Sequence, residues 1–575
     1  MKKSARWTLC ILLAGSTLAW GQTATGRNPA QNRQQSALMA EAFYEVLLGE
    51  LNARQNNPGA AFSLLLDAAT KVNDVRLYQR AVDVALQSRS GEAALQAARA
   101  WKRANPSSRQ ANLYTLQILL ALNRVGDAAE PLRAEVDLAP AEERNMALAN
   151  LHRHLAQVSD KKKAVSILEQ AIAPYLQTST TAAAAWTSVG RVRLNAGDTS
   201  GALDAAQKAY QAEPSAMGPG LLALDLVEKN VPAAMDLLNL SLTKVTQPEL
   251  RLSLIQWQLE NKQYASALGQ LQDMTQSQPQ VPQAWLMLGL LHADENRPEA
   301  AEVALQRYLG LVQTQANPSQ RGLAQAYLGL AQVAEKRLDE TRAQEWLQKI
   351  EHPDFVLQAQ SRRAQLLARQ GKLSEARSLI QNLRVENASQ ARGKLLAEVK
   401  LLRDSKQFLA AHELLSMAVL RDPQDNDMLY ELAMLDEKLN RLDDMEQRLR
   451  ELIRRLPEQP HAYNALGYSL ADRNLRLGEA KQLIVRALEL APNDPAITDS
   501  LGWVEFRLGN LPVALALLKK AYASQSDPEI AAHMGEVLWQ LNQRDDAMKI
   551  WREGMQKGGD TETLRETLRR LKVDL

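Results

Sequence analysis

Cysteine is all but missing from this chain of 575 residues. The only one is Cys10. Everything after it therefore lacks disulfides and thiolate metal sites. Aromatic residues make up only 5% of the chain. Convincing runs of alternating β-branched residues are lacking too, which argues against strands. No strong excess of one charge is present either, since the formal net charge is +2.

What is present is helix-forming. Ala, Leu, Gln, Glu and Arg dominate the usage, and all are good helix formers. At this length a single ordinary globular core is excluded. A stack of small units, each packed only on its neighbours, avoids that limit.

The N-terminus reads as an export signal. Lys2, Lys3 and Arg6 precede a mostly apolar stretch of 13 residues, Trp7 to Ala19. That stretch is too short to span a bilayer. Ala19-Trp20-Gly21 fits the small-x-small cleavage rule, so residues 1–21 form the expected signal peptide and Gln22 the expected mature start. Cys10 lies within the apolar stretch and not after a lipobox, so lipid anchoring is not expected. Three of the 68 basic residues fall in the signal and none of the 66 acidic ones. The expected mature chain thus has a net charge of about −1. That balance argues against nucleic acid as a partner. It gives no support for attraction to an anionic membrane. The expected compartment is the periplasm, or the exterior more generally.

Residues 22–36 are polar and without apolar period, and are expected to form a disordered linker. From residue 37 the helical period sets in. A small or apolar residue recurs at Ala411, Met445, Ala480, Ala514 and Ala547, in steps of 34, 35, 34 and 33. Apolar-Gly pairs recur as Leu328-Gly329, Leu466-Gly467, Leu501-Gly502 and Met534-Gly535. Pro423, Pro457 and Pro492 end successive helices. A mid-helix Gly costs about 1 kcal/mol relative to Ala, so its recurrence implies close helix contacts. A period near 34 with these marks indicates a tetratricopeptide array. The expected fold is all-α: an α-solenoid of about fifteen helix pairs over residues 37–560. Its pattern is degenerate at 217–275, and residues 561–575 are expected to form a polar capping helix.

The chain resembles tetratricopeptide repeat proteins over most of this span. More narrowly, residues 43–69, 464–474, 499–510 and 529–554 are similar to a proteobacterial family of envelope TPR proteins. That family includes the LbcA-like lipoprotein adaptors of a periplasmic carboxyl-terminal processing protease. The resemblance implies a right-handed superhelix that docks the protease and presents envelope substrates, the cell-wall hydrolases, to it. The absence of a lipobox departs from that pattern. A scaffold for outer-membrane or polysaccharide-export assembly is the alternative.

Motifs for catalysis are thin. His412-Glu413-Leu414-Leu415-Ser416 lacks the second His of the zinc-protease helix. His152 and His154 point to different sides of a helix. Asp443-Asp444 and Asp545-Asp546 read as caps of second helices. No P-loop, nucleophile elbow or dinucleotide fingerprint occurs. No enzyme activity, metal site or cofactor is expected.

Protein binding is expected instead. Projecting the Gly-marked first helices places ten residues towards the concave groove: Tyr430, Met434, Asn464, Tyr468, Asp499, Trp503, Phe506, Arg507, Glu536 and Trp539. Aromatic and Arg side chains anchor interfaces; packing of Trp503, Phe506 and Trp539 between repeats is the other reading. On the first helix, Leu38, Met39, Phe43, Val46 and Leu47 exceed one narrow stripe. They either cap the array or dock another chain.

Overall fold

A computed structural model describes residues 29–557 and 562–575. The expected signal and residues 22–28 of the expected linker lie outside them. The first helix, Pro29–Arg54, starts within that linker, so residues 29–36 are helical and not disordered. Pro29 opens the helix, where its missing N–H is no loss. Gln, Ala and Arg then carry it into the apolar period without a break.

The described residues hold 31 α-helices and no strand. Thirty of them fall into fifteen consecutive pairs, followed by the terminal helix Glu562–Leu571. The chain is an all-α solenoid of tetratricopeptide type. It divides into two compact units, residues 1–281 and 282–575. The first holds seven pairs; the second holds eight and the terminal helix. The degenerate stretch 217–275 also forms helices, among them Met217–Glu228, Ala233–Lys244 and Pro248–Glu260.

The turn inside each pair has a fixed conformation. In fourteen of the fifteen pairs one turn residue is left-handed, with φ between 56° and 86°. Asn occupies half of these positions, including Asn56, Asn123, Asn440, Asn474 and Asn542; Gly takes Gly197, Gly371 and Gly509. Both tolerate this conformation better than other residues. The exception is the pair Arg144–Leu155 and Lys161–Ile172, whose turn has no such residue. There the first helix packs chiefly on Ala182–Asn195 of the next pair.

Glycine sets the close contact within pairs. A Cβ on Gly467 would lie 2.6 Å from Ile484 Cγ1 and 2.9 Å from the Ala480 carbonyl. On Gly502 it would meet Leu518 Cγ at 2.7 Å. Gly329 is different. Its Cβ would strike Leu305 and Leu290 of the preceding pair, because Gly329 lies two residues out of register with the others. Second helices end two residues before Pro423, Pro457 and Pro492.

The second unit is not uniform. Helices Glu340–Gln348 and Leu373–Gln381 have only nine residues each, whereas Leu442–Arg455 and Leu511–Ser524 have 14. Asp443 and Asp444 also differ from expectation. They sit in the first turn of their helix, and the cap position is Arg441, which makes no side-chain cap bond. Their contribution is to the helix dipole. Asp545 and Asp546 likewise lie in the first turn of Arg544–Lys557.

Candidate protein-binding surfaces

The last four first helices are Asn426–Lys438, Pro460–Asp472, Pro495–Arg507 and Pro528–Gln540. They carry all ten expected groove residues. Four of these are buried: Asp499, Trp503, Phe506 and Glu536. The other six, Tyr430, Met434, Asn464, Tyr468, Arg507 and Trp539, are half-buried. Tyr430, Met434, Tyr468 and Trp539 pack on the core of these repeats and still expose part of their surface.

Trp503 and Phe506 stack on each other at 5.0 Å. Trp503 also stacks on His533 at 4.2 Å, with the rings 24° apart. His533 Nδ1 bonds Asp499 at 2.9 Å. Tyr468 Oη lies 3.3 Å from both His533 Nε2 and Glu529 Oε1. Tyr468 and His533 stand two repeats apart, so the first helices curve tightly enough here for their side chains to meet. Trp503 Nε1 donates to Asp472 at 3.3 Å, and Arg507 pairs with the same carboxylate at 3.5 Å. Arg570 of the terminal helix forks onto buried Glu536, at 2.7 and 2.5 Å.

Several groups here titrate abnormally. Burial raises the Glu437 carboxyl, and the nearby Asp472 and Glu529 add to the rise. Burial also raises Glu529, helped by Asp499 and outweighing His533. Burial and the carboxylates around it hold the Tyr468 hydroxyl protonated. Burial opposes a charge on His533, but Asp499 overrides it and raises the imidazole above its usual value. These side chains thus form a closely spaced acidic set with one histidine.

Glu437, Asp472, Glu529, His533 and Arg570 were not among the expected residues. Their signal is the repeat itself. Positions one period apart are neighbours on successive first helices, as in Asp499–His533 and Glu536–Arg570, each 34 residues apart.

His412 is part of a packing cluster. Its Nε2 lies 2.8 Å from fully buried Asp436, which also pairs with Arg448 at 3.2 Å. Ser416 Oγ is 3.3 Å from His412 Nδ1. His152 Nδ1 bonds the Ala149 carbonyl, and burial lowers the ring to about 4. Among the described residues, no group of three or more His, Cys, Asp or Glu could hold a metal ion.

On the first helix, Val46 is half-buried against the core of the first repeats. Leu38, Met39, Phe43 and Leu47 are exposed, as are Tyr44 and Leu51. Met39, Phe43, Leu47 and Leu51 follow at four-residue steps, which puts them on one side of the helix.

The tetratricopeptide repeat family model matches residues 80–143, 254–320 and 469–531. These three stretches match tetratricopeptide repeats. The second match reaches back to 254, into the stretch whose sequence pattern is degenerate. The chain is 38% identical over 211 residues to a TPR repeat-containing protein of Pseudomonas aeruginosa. That match covers 37% of this chain and spans 36% of the length of the relative. Among solved structures, a thermophilic TPR protein of Thermus thermophilus is 23% identical, with a TM-score of 0.29. It matches 31% of this chain and 98% of its own. A tetratricopeptide repeat protein of Parabacteroides merdae is 15% identical, with a TM-score of 0.34, over 44% of this chain and 99% of its own. Tetratricopeptide arrays offer extended concave surfaces to protein partners.

Proposed function

We propose that this protein is an exported, non-enzymatic scaffold that holds two proteins together in the cell envelope. The pair it would join is a carboxyl-terminal processing protease and that protease's envelope substrates. The observation that carries the scaffold reading is the groove wall of the last four repeats. Half-buried Tyr468 and Arg507 stand there beside Glu529 and Asp472, with Glu437 near both carboxylates. Asn464 Oδ1 and Arg507 Nε lack hydrogen-bond partners within the chain. Buried polar atoms in that state call for a polar ligand or water. Aromatic surface with unmatched polar groups suits an extended polypeptide.

The protease and its substrates rest on the resemblance of residues 43–69, 464–474, 499–510 and 529–554 to envelope adaptors. An adaptor needs no catalytic group. Holding two partners on one array raises their effective concentration. The test is a pull-down from envelope extract, followed by a proteolysis assay with the recovered protease. Recovery of a processing protease, and faster substrate cleavage on adding this protein, are expected. Recovery of polysaccharide-export or outer-membrane components in its place would overturn the protease assignment and leave the scaffold.

A further inference from the structure

A solenoid end must hide its apolar face from water, with a polar outer surface or with another element. The C-terminal end does so. Helix Glu562–Leu571 buries Leu564 and Leu568 on the last repeats and turns Arg565, Glu566 and Arg569 outward. At the N-terminal side of the first helix no described element does so. The first helix keeps Ala42 and Gly49 against its partner helix, Pro58–Val72. Beside that contact runs an uncovered face, with Met39 61% exposed, Phe43 71% and Tyr44 60%. Leu47 and Leu51 extend it along the helix. This is the face on which a preceding repeat would pack.

The carboxylates around it are already neutralised within the chain. Lys71 pairs with Glu41 at 2.7 Å and with Glu45 at 2.5 Å; Arg80 pairs with Glu50 at 2.6 Å. A charged partner would find little there to recognise, while an equally apolar one would. The five large side chains offer on the order of 600 Å² per copy, so two such faces reach the roughly 1,200 Å² at which specific interfaces begin.

We propose that this face is a self-association surface. Two copies stack their first helices across a twofold axis, each supplying the repeat that the other lacks. A head-to-tail arrangement would require the opposite end, which the terminal helix already covers. A closed, isologous pair follows. Such a dimer would carry two grooves, whatever partner the groove takes.

Sedimentation equilibrium of the purified full chain tests this. The mass should rise towards twice the chain mass as concentration passes through the micromolar range. Phe43→Glu combined with Leu47→Glu should hold the single-chain mass throughout, and should melt as the wild type does at concentrations where the wild type is monomeric. With Cys10 replaced by Ser, Leu47→Cys should give a covalent dimer on mild oxidation, and Val303→Cys, on a side chain 66% exposed, should not. A wild-type chain that stays monomeric would overturn the proposal. So would a double variant that still dimerises, which would place the contact elsewhere. A double variant that melts lower than the wild type at concentrations where both are monomeric would also overturn it, because residues of the same chain would then cover the face.

Discussion

The first and last repeats are built from the same helix pair, and their environments are opposite. At the last pair, Trp551 is fully buried and Gly535 lies under it, where a Cβ would come within 2.1 Å of the indole Nε1. At the first pair, Phe43 is the most exposed aromatic side chain among the described residues, at 71%. Local sequence does not separate them, since both helices carry an apolar stripe and a mid-helix Gly. What separates them is the next element. The last pair has helix Glu562–Leu571 to receive its apolar side, and the first has no described element before it. In a solenoid, burial is decided by neighbours and not by composition.

The largest expected effect sharpens that contrast. Trp551→Ala should cost about 3–5 kcal/mol, the usual loss for emptying a fully buried tryptophan site. Phe43→Ala should stay within about 0.5 kcal/mol, as for other surface changes, in melts dilute enough to keep the chain monomeric. Thermal or denaturant melts of the two variants check both. Equal losses would mean that Phe43 is covered in solution.

Next in size are the glycine contacts. Gly467→Leu and Gly502→Leu should each cost roughly 1–3 kcal/mol by overpacking. Gly467 faces the Ala480 carbonyl, a backbone atom that cannot turn aside. Gly59→Leu, at the other end, meets nothing within 4 Å and should leave the melt nearly unchanged. Arg570→Ala should cost about 1–3 kcal/mol, because it strips charged hydrogen bonds from Glu536, a side chain only 2% exposed. A melt unaltered by this change would deny the terminal helix its anchoring role.

Much of the fold was legible because one interval repeats. Ala480, Ala514 and Ala547 mark it on the second helices, and Gly467, Gly502 and Gly535 on the first. The left-handed turn residues mark it more completely, since Asn440, Asn474, Gly509 and Asn542 recur every 33 to 35 residues. They extend it to stretches such as Asn230 and Lys262, where the small-residue pattern fades. The start of the first helix was not legible, because polar helix formers at 29–36 look the same in a tether. The groove was legible only in part. Projection puts Trp503 and Tyr468 on similar faces, yet Trp503 is 4% exposed and Tyr468 is half-buried. The difference comes from curvature, which lets His533 of the last repeat close over Trp503. No single helix encodes that. The i to i+34 pairing of Asp499 with His533 is what records it.

That pairing gives the smallest and most specific prediction. His533 has a folded pKa above its ordinary value, despite burial, because of Asp499. Its stabilisation is therefore complete below about pH 6.5, the unfolded value, and is lost as pH rises through the folded one. Glu437 and Glu529 are raised by burial and by neighbouring carboxylates. They hold protons in the folded groove at a pH where the unfolded chain has released them, so they too make stability fall as pH rises from about 4.5. Ion-paired carboxylates such as Asp425 and Glu446 are lowered instead, by their arginines. Their stabilisation is lost only in acid and does not compete above about pH 5. His152, His154 and His292 are lowered by burial and add stability as pH rises towards about 6.5. Above that range, between about pH 7 and 8.5, the melting temperature should thus decline, and hydrogen exchange in helix Pro528–Gln540 should quicken. No such change is expected in helix Pro58–Val72, where no histidine contact occurs among the described residues. His533→Gln should flatten the upper part of the profile and leave the part due to Glu437 and Glu529. A wild-type profile that rises across this range would mean that His533 is held neutral, with burial outweighing Asp499.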